Sequence, residues 1–292
     1  MVDAKPPVPL DGRVMMVTGA SGGIGFVTAR ELARRGATVL MVGRDRGRVE
    51  AAASRVRSEA RPRGGVEPLV ADLSSIGAIR ALADEARRRH PRLDVLVNNV
   101  GGVFLKRESS VDGFEMTFAL NHLGPYLLTR LLLDAIRASD SGRIVCVSSE
   151  AHRMFRLELD DLQGERNFNG WAAYGRSKLA NLLFAKELAR RLGDEGANVT
   201  ANALHPGFVR TDFFDGNGGV GWVTRRFAAL FAISPEQGAK TSTHLAGSPD
   251  VANVTGQYFI KCRPASPSNA AQDMDTAAKL WGASASLVGL PP

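Results

Sequence analysis

Apolar residues along this chain follow two alternating rhythms. Some form short unbroken runs, and others return every three or four positions over longer stretches. The short runs are Val14–Val17, Thr38–Val42, Val66–Val70, Val95–Asn98, Arg143–Val147, Asn198–Leu204 and Gln257–Ile260, and they predict strands. Between them, helical spacing covers Ile24–Arg35, Arg46–Ala60, Ser75–Arg89 and Trp171–Leu192. Another long helix should begin near Asp112, where Asp112 and Glu115 have capping-box spacing, and run to about Ala138. Ser234-Pro235-Glu236-Gln237 offers an N-cap serine with proline at the first helical position, opening a helix to about Ala246. Strands and helices that alternate at this spacing predict an α/β fold, a parallel sheet with helices on both faces. No repeat or low-complexity segment divides residues 1–292, which read as a single domain.

Composition narrows the function classes. With 44% hydrophobic residues and 31 glycines, the chain has the make-up of a globular protein rich in tight turns. No apolar run reaches the ~20 residues of a membrane helix. The stretch Met1–Leu10 is polar and Pro-rich and lacks the charged and apolar regions of a signal peptide, so the expected location is cytoplasmic. The two cysteines, Cys146 and Cys262, imply neither a disulfide framework nor a metal site, and Cys146 in its apolar run reads as a small buried hydrophobe. The net charge is +7, but the pairs Arg34-Arg35, Arg190-Arg191 and Arg225-Arg226 and the triplet Arg87–Arg89 are scattered. Three of these four end predicted helices, where cations complement the dipole. That pattern does not suggest nucleic-acid binding and leaves attraction to small anions.

Three stretches carry chemistry. Between the first strand and first helix lies Thr18-Gly-Ala-Ser-Gly-Gly-Ile-Gly25, with Gly19, Gly23 and Gly25 spaced G-x-x-x-G-x-G. Glycine permits a tight turn and a close backbone approach to a pyrophosphate, and the helix behind it offers free N–H groups. Ser21, Gly22 and Ile24 belong to the same turn. In this position the motif predicts a Rossmann-like, doubly wound sheet that binds a dinucleotide. Strand two ends at Gly43-Arg44-Asp45, so a glycine stands where an acidic residue would hold a ribose 2′-hydroxyl. The Arg44 guanidinium suits a 2′-phosphate, which favours NADP(H) over NAD(H), with Asp45 as the alternative ribose contact. Finally, Tyr174 and Lys178 are four apart on a predicted helix and project toward one spot. A nearby ammonium would lower the phenol from ~10 and make it a usable acid or base.

Together these residues resemble the short-chain dehydrogenase/reductases, nearly end to end. Within that family the chain is most similar to the retinol-dehydrogenase-like branch. Asp112-Gly-Phe-Glu115, Asn121-His-Leu-Gly124, Asp160-Asp-Leu162, Ser177-Lys-Leu-Ala-Asn181, His205-Pro-Gly207 and Lys279-Leu-Trp281 carry the likeness, as does the spacing of 25 between Ser149 and Tyr174. The resemblance implies a catalytic set of Asn121, Ser149, Tyr174 and Lys178. Tyr174 would be the general acid or base and Ser149 the donor to the substrate oxygen. Lys178 would tune Tyr174 and hold the nicotinamide ribose, and Asn121 would fix a water behind Lys178. It also implies cofactor contacts from Asp72 and Leu73, from Asn98, Asn99 and Gly101 (Val100 replaces the usual alanine), and from Pro206, Gly207, Val209 and Thr211. A homodimer or homotetramer through the two long helices is implied in the same way. Membrane-bound members carry an N-terminal apolar segment that Met1–Leu10 does not resemble.

His152 and His205 lie near this set and are read as structural. After Thr211, glycines beside Phe213, Phe214, Trp222 and Phe227 read either as a lid over about 211–233 or as core or a dimer contact. A lid there fits a bulky lipophilic or aromatic ketone, aldehyde or secondary alcohol. No metal is required. The rival to an oxidoreductase is a cofactor-binding sensor, partner or non-redox catalyst on the same scaffold.

Overall fold

The computed structural model describes residues 8–61, 64–207 and 233–292. The strands are β1 Val14–Thr18, β2 Thr38–Gly43, β3 Val66–Val70, β4 Val95–Asn98, β5 Gly142–Val147, β6 Val199–His205, β7 Tyr258–Ile260 and β8 Arg263–Pro264. They form one sheet in the order β3-β2-β1-β4-β5-β6-β7-β8. All neighbours are parallel except β7 and β8. The strand order reverses between β1 and β4, and a crevice opens there at the strands' carboxyl ends.

The unbroken apolar runs are explained by burial on both faces. Alternate residues serve opposite layers: Met16, Leu40, Leu96, Ile144 and Cys146 face one core, while Met15, Val17, Val39, Val97 and Val145 face the other. The first core is closed by helices α3 Ile76–Arg89, α5 Gly124–Arg137, α6 Gly170–Asp194 and α8 Met274–Leu287. The second is closed by α1 Gly23–Arg34, α2 Arg46–Arg57 and α7 Pro235–Gly247. A buried leucine in either layer contributes about 1.5–3 kcal/mol. Cys146 is buried as expected, and burial pushes its thiol up to about 12.

Helix starts follow side-chain caps. Asp45 accepts from Arg48 N–H, Ser75 from Ala78, Asn169 from Ala172 and Ser234 from Gln237. One cap is exchanged. The helix expected from Asp112 begins later, with α4 Met116–Phe118, then a π-helical turn Ala119–Leu123, then α5. Glu115 caps it by accepting from Thr117 and Phe118 N–H, whereas the Asp112 carboxylate accepts from Ile76 N–H, 2.7 Å away, at the start of α3. Asp112 thus caps a helix distant in sequence.

The β7–β8 turn and α8 have no counterpart in the sequence reading. The turn uses Lys261 and Cys262 at φ +50° and +61°, without the usual glycine or asparagine. Helix α8 is capped by Asp273 and lays Ala277, Leu280 and Trp281 against α5 and α6, with Ser284 on His122 of the π turn. The Trp281 ring lies 5.2 Å from Tyr126 and 5.9 Å from Phe184, with Arg191 stacked 4.4 Å from it. No described helix is long and apolar enough to cross a membrane.

Candidate active site

The crevice has two adjoining halves of about 260 and 200 Å³ that share Gly19, Ser21, Arg48, Val100 and Gly101. The glycine turn forms the floor of the first. Thr18 anchors it by accepting N–H bonds from Asn99 (2.9 Å) and Val100 (3.0 Å) on its hydroxyl. The Asn99 amide in turn donates to Thr18 O at 2.8 Å. Gly19 and Gly23 have φ of +65° and +55°. A Cβ at Gly25 would stand 2.3 Å from the Gly19 carbonyl oxygen, so this position admits only glycine. Helix α1 then starts at Gly23 with no side-chain cap and no acidic residue in its first turn. Its N-terminal N–H groups and dipole face the crevice, a cradle suited to a pyrophosphate. Ser21, Gly22, Gly23, Ile24 and Gly25 all line it.

The second half is walled by Arg44, Asp72 and Leu73. Arg44 is exposed at the end of β2, where Gly43 leaves the Val49 side chain 3.1 Å from where a Cβ would sit. Arg48, in the first turn of α2, lines both halves and has no counterpart in the sequence expectations. Its signal in the sequence is its place just behind the Asp45 cap at the end of β2. The donor set at this end is cationic and fits the phosphates of a dinucleotide.

The catalytic candidates come from three elements. Tyr174 and Lys178, on α6, line the first half and are nearly buried. Lys178 Nζ donates to Val147 O at 3.2 Å and lies 5.7 Å from the Tyr174 ring. Ser149 follows β5, and its hydroxyl bonds the Tyr174 phenol while accepting from Ala151 N–H at 3.2 Å. Asn121 sits fully buried in the π turn, a break that commonly marks functional positions. Its amide clamps Gly102, accepting from Gly102 N–H at 2.8 Å and donating to Gly102 O at 3.0 Å. It also donates to Ser177 Oγ at 2.9 Å, and Ser177 donates to Tyr174 O at 2.7 Å, which ties the π turn to α6. A Cβ on Gly101 would stand 3.0 Å from Lys178 Nζ and 3.3 Å from Asn121 Oδ1, which measures how tightly these groups converge.

The electrostatics correct one expectation. Burial pushes Tyr174 up to about 12, opposed by its bond to Ser149, and burial also pulls Lys178 down to about 8. The ammonium does not lower the phenol in this crevice, because low polarity penalises both charged forms.

Asn98 departs from the expected group. Its side chain points into the first core, donating to Thr129 Oγ1 at 2.8 Å, and does not line the crevice. Pro206 lines the crevice, and Gly207 beside it has φ +96°. Val209, Thr211 and all but the last residue of the expected lid lie outside the described residues. His152 and His205 are engaged in hydrogen bonds around Ser149 and Glu150. Among the described residues no cluster of ligating side chains could hold a metal ion.

Known proteins resemble this chain over nearly its whole length. The profile of the short chain dehydrogenase family matches residues 13–218. Retinol dehydrogenase 14 of Mus musculus is 43% identical over 97% of this chain and 88% of its own length. Retinol dehydrogenase 13 of Homo sapiens is 42% identical over 98% and 87%. Among solved structures, an uncharacterized protein from Mycobacterium Paratuberculosis superposes with a TM-score of 0.80 at 36% identity, covering 97% of this chain and 96% of that one. A Beutenbergia cavernae protein described as an NAD(P) dependent gluconate 5-dehydrogenase, solved with bound NADP, gives 0.67 at 32% identity, covering 88% and 97%. A phosphate-cradling turn, a buried tyrosine–lysine pair and this likeness over nearly the whole length place the chain in the short-chain dehydrogenase family, as an oxidoreductase of alcohols and carbonyls.

Proposed function

We propose that the protein is an NADP(H)-dependent oxidoreductase that interconverts a lipophilic or aromatic aldehyde or ketone with its alcohol. The observation that carries this is the pairing, in one crevice, of the buried Tyr174 and Lys178, with Ser149 bonded to the tyrosine, and the end of β2, where Gly43 takes the acidic residue's place beside Arg44 and Arg48. Bound at this site, the nicotinamide would supply or accept the hydride. In reduction the substrate oxygen rests against Ser149 Oγ and Tyr174 Oη. Tyr174, held protonated by burial, gives its proton to that oxygen as the carbon is reduced. The Ser149 hydroxyl donates where negative charge develops. Lys178, which gains and loses a proton near pH 8, lies beneath the tyrosine and is suited to hold the ribose and to pass a proton. Asn121 fixes the Gly102 backbone beside it, and a water held behind Lys178 belongs to the same reading.

The lipophilic substrate is supported by two observations. Met154 and Trp171, exposed apolar side chains, stand five residues after Ser149 and three before Tyr174. Relatives named for retinol accept a long apolar alcohol, so retinol with NADP and its aldehyde with NADPH head the test panel. A single domain, a cytoplasmic location and a homodimer or homotetramer belong to this proposal too. An interface on α5 and α6 would have to include α8, which lies across α6.

NADPH consumption by wild type and Tyr174→Phe tests the reading. The variant should bind NADPH normally and lose about 10²–10⁴-fold in kcat. Tight NADPH binding with equal turnover in both would sink the Tyr174 mechanism, and binding without turnover in either would leave the reading of a sensor, partner or non-redox catalyst. NADP preference over NAD should collapse in Arg44→Ala combined with Arg48→Ala, and a preference that survives both changes rules out the 2′-phosphate assignment.

A further inference from the structure

We infer that His152 is a positioning residue for Ser149, locked by the C-terminal loop at Ser268 into the tautomer that holds the Ser149 carbonyl. This rests on the proposed role of Ser149. The ring is fully buried, so its hydrogen bonds are made entirely within the protein. The Ser268 backbone N–H points at Nε2 from 3.1 Å. A backbone N–H can only donate, so Nε2 must be the bare nitrogen. The ring's single proton is therefore on Nδ1, which donates to the Ser149 carbonyl oxygen at 2.7 Å. One donor on β5's exit and one acceptor for the C-terminal loop fix the ring at both ends.

The surroundings reinforce that orientation. Tyr258 of β7 packs edge-on at 5.3 Å and donates its hydroxyl to Glu150 Oε1 at 2.7 Å. Arg153 bridges Glu150 Oε2 at 2.8 Å and Ser266 O at 2.6 Å. His205 Nδ1 faces the Glu150 N–H at 3.4 Å. The segment Ser149–Arg153 is thus clasped from β6, β7 and the 266–268 loop; Ser149 takes local N–H bonds from Ala151 on its hydroxyl and from His152 on its carbonyl, and the His152 ring bond is the one that ties that carbonyl to the 266–268 loop. Glu150, Arg153, Tyr258 and His205 are the titratable or charged groups around the ring. Protonation would put a second N–H on Nε2, facing the Ser268 N–H. The clasp would then open and Ser149 would shift, so acid should lower the rate through Ser149 while cofactor binding stays intact.

The test is a double-mutant cycle on NADPH-dependent reduction of the aldehyde of retinol, with NADPH affinity measured in parallel. His152→Ala should lower kcat by about ten- to a hundredfold, the scale of a misplaced catalytic group, with the NADPH Kd unchanged. His152→Asn, which keeps a donor near the δ position, should recover most of that loss. In a Ser149→Ala background, His152→Ala should cost nothing further. An equal proportional loss in both backgrounds would show general destabilisation and overturn the inference, as would an unchanged kcat in His152→Ala. Should the alanine variant not fold, His152→Asn carries the cycle, and a spectrum of ¹⁵N-histidine-labelled wild type must show one ring protonated at Nδ1 alone; an Nε2 proton there overturns the assignment. If Ser149→Ala itself leaves kcat intact, the role of Ser149 fails first and the inference falls with it.

Discussion

The two ends of the crevice are built from different materials. At the proposed phosphate end the groups offered are backbone, the N–H groups at the uncapped start of α1 on the glycine turn, above a core of valine, alanine and leucine with Phe26, Phe259 and two methionines. At the catalytic end they are side chains from β5, the π turn and α6, above a core that also buries Asn98, His122, Asn181 and Ser284. Backbone N–H donors are neutral dipoles that do not titrate, and at Gly25 the close packing tolerates no Cβ. Side-chain donors tolerate some change of shape and depend on protonation. The phosphate end should therefore fail by steric change, and the catalytic end by titration.

The steric half of that contrast predicts the largest effect. Gly25→Ala places a methyl 2.3 Å from Gly19 O and 2.5 Å from Asn99 Nδ2. Neither can retreat, because Asn99 is bonded to Thr18 O and Gly19 lies in the turn itself. The turn must open, at about 3 kcal/mol, the upper end for forced overpacking. NADPH affinity, read by fluorescence titration, should weaken by on the order of 100-fold or more. An unchanged Kd would mean that the pyrophosphate does not sit on this turn.

The same contrast explains what was legible in the sequence. A site made of backbone must advertise itself through glycine, and Gly19, Gly23 and Gly25 could be read directly. Tyr174 and Lys178 were legible because one helix carries both. Ser149 and Asn121 needed the family resemblance, since each reaches the site from a distant element. What stayed hidden depends on contacts far apart in sequence: Asp112 capping α3, the Ser268 N–H fixing His152, and α8 closing over Trp281. Asn98 was misplaced for the opposite reason. Neighbouring residues at a strand end point to opposite faces, so only Asn99 could reach the crevice. The tyrosine's pKa was misjudged because burial, which no local motif reports, outweighs a nearby cation.

Titration can be tested on the fold as well as on the chemistry. His122, beside Asn121 in the π turn, is fully buried against Phe118, Tyr126 and Phe184, with Nε2 on Ser284 Oγ at 2.9 Å. Burial lowers it to about 4, against an upward pull from Asn181. Its folded value lies below the unfolded 6.5, so between these values the unfolded chain binds the extra proton. Stability is present above pH 6.5 and is lost as pH falls toward 4. Between pH 7 and 4.5 this one ring should cost about 2 kcal/mol. His152, His205 and His244 are also lowered by burial, so denaturant unfolding of wild type must be compared with His122→Gln at both pH values. The variant should be less stable at pH 7 yet lose less on acidification. Equal acid losses would remove His122 from the acid response.

The smallest effect separates the two catalytic groups by pH. An ordinary tyrosine would end carbonyl reduction near pH ~10. Here Tyr174 keeps its proton to about 12, and the group that changes first is Lys178, at about 8. In the reductive direction kcat/KM should be level below pH 8 and fall about tenfold per unit above it, as the ammonium is lost. In Lys178→Met the residual rate should pass through pH 8 unchanged. A limb near 10 in the wild type would return control to the tyrosine. Unfolding cannot imitate the result, because its sign is opposite. Burial places the folded lysine below its unfolded 10.5, so the unfolded chain binds more protons between 8 and 10.5. The cost of burying the ammonium is fully present below pH 8 and fades across that window, so Lys178 makes the fold more stable as pH rises. Over the same interval the rate should decline, and activity and stability measured on one sample would diverge.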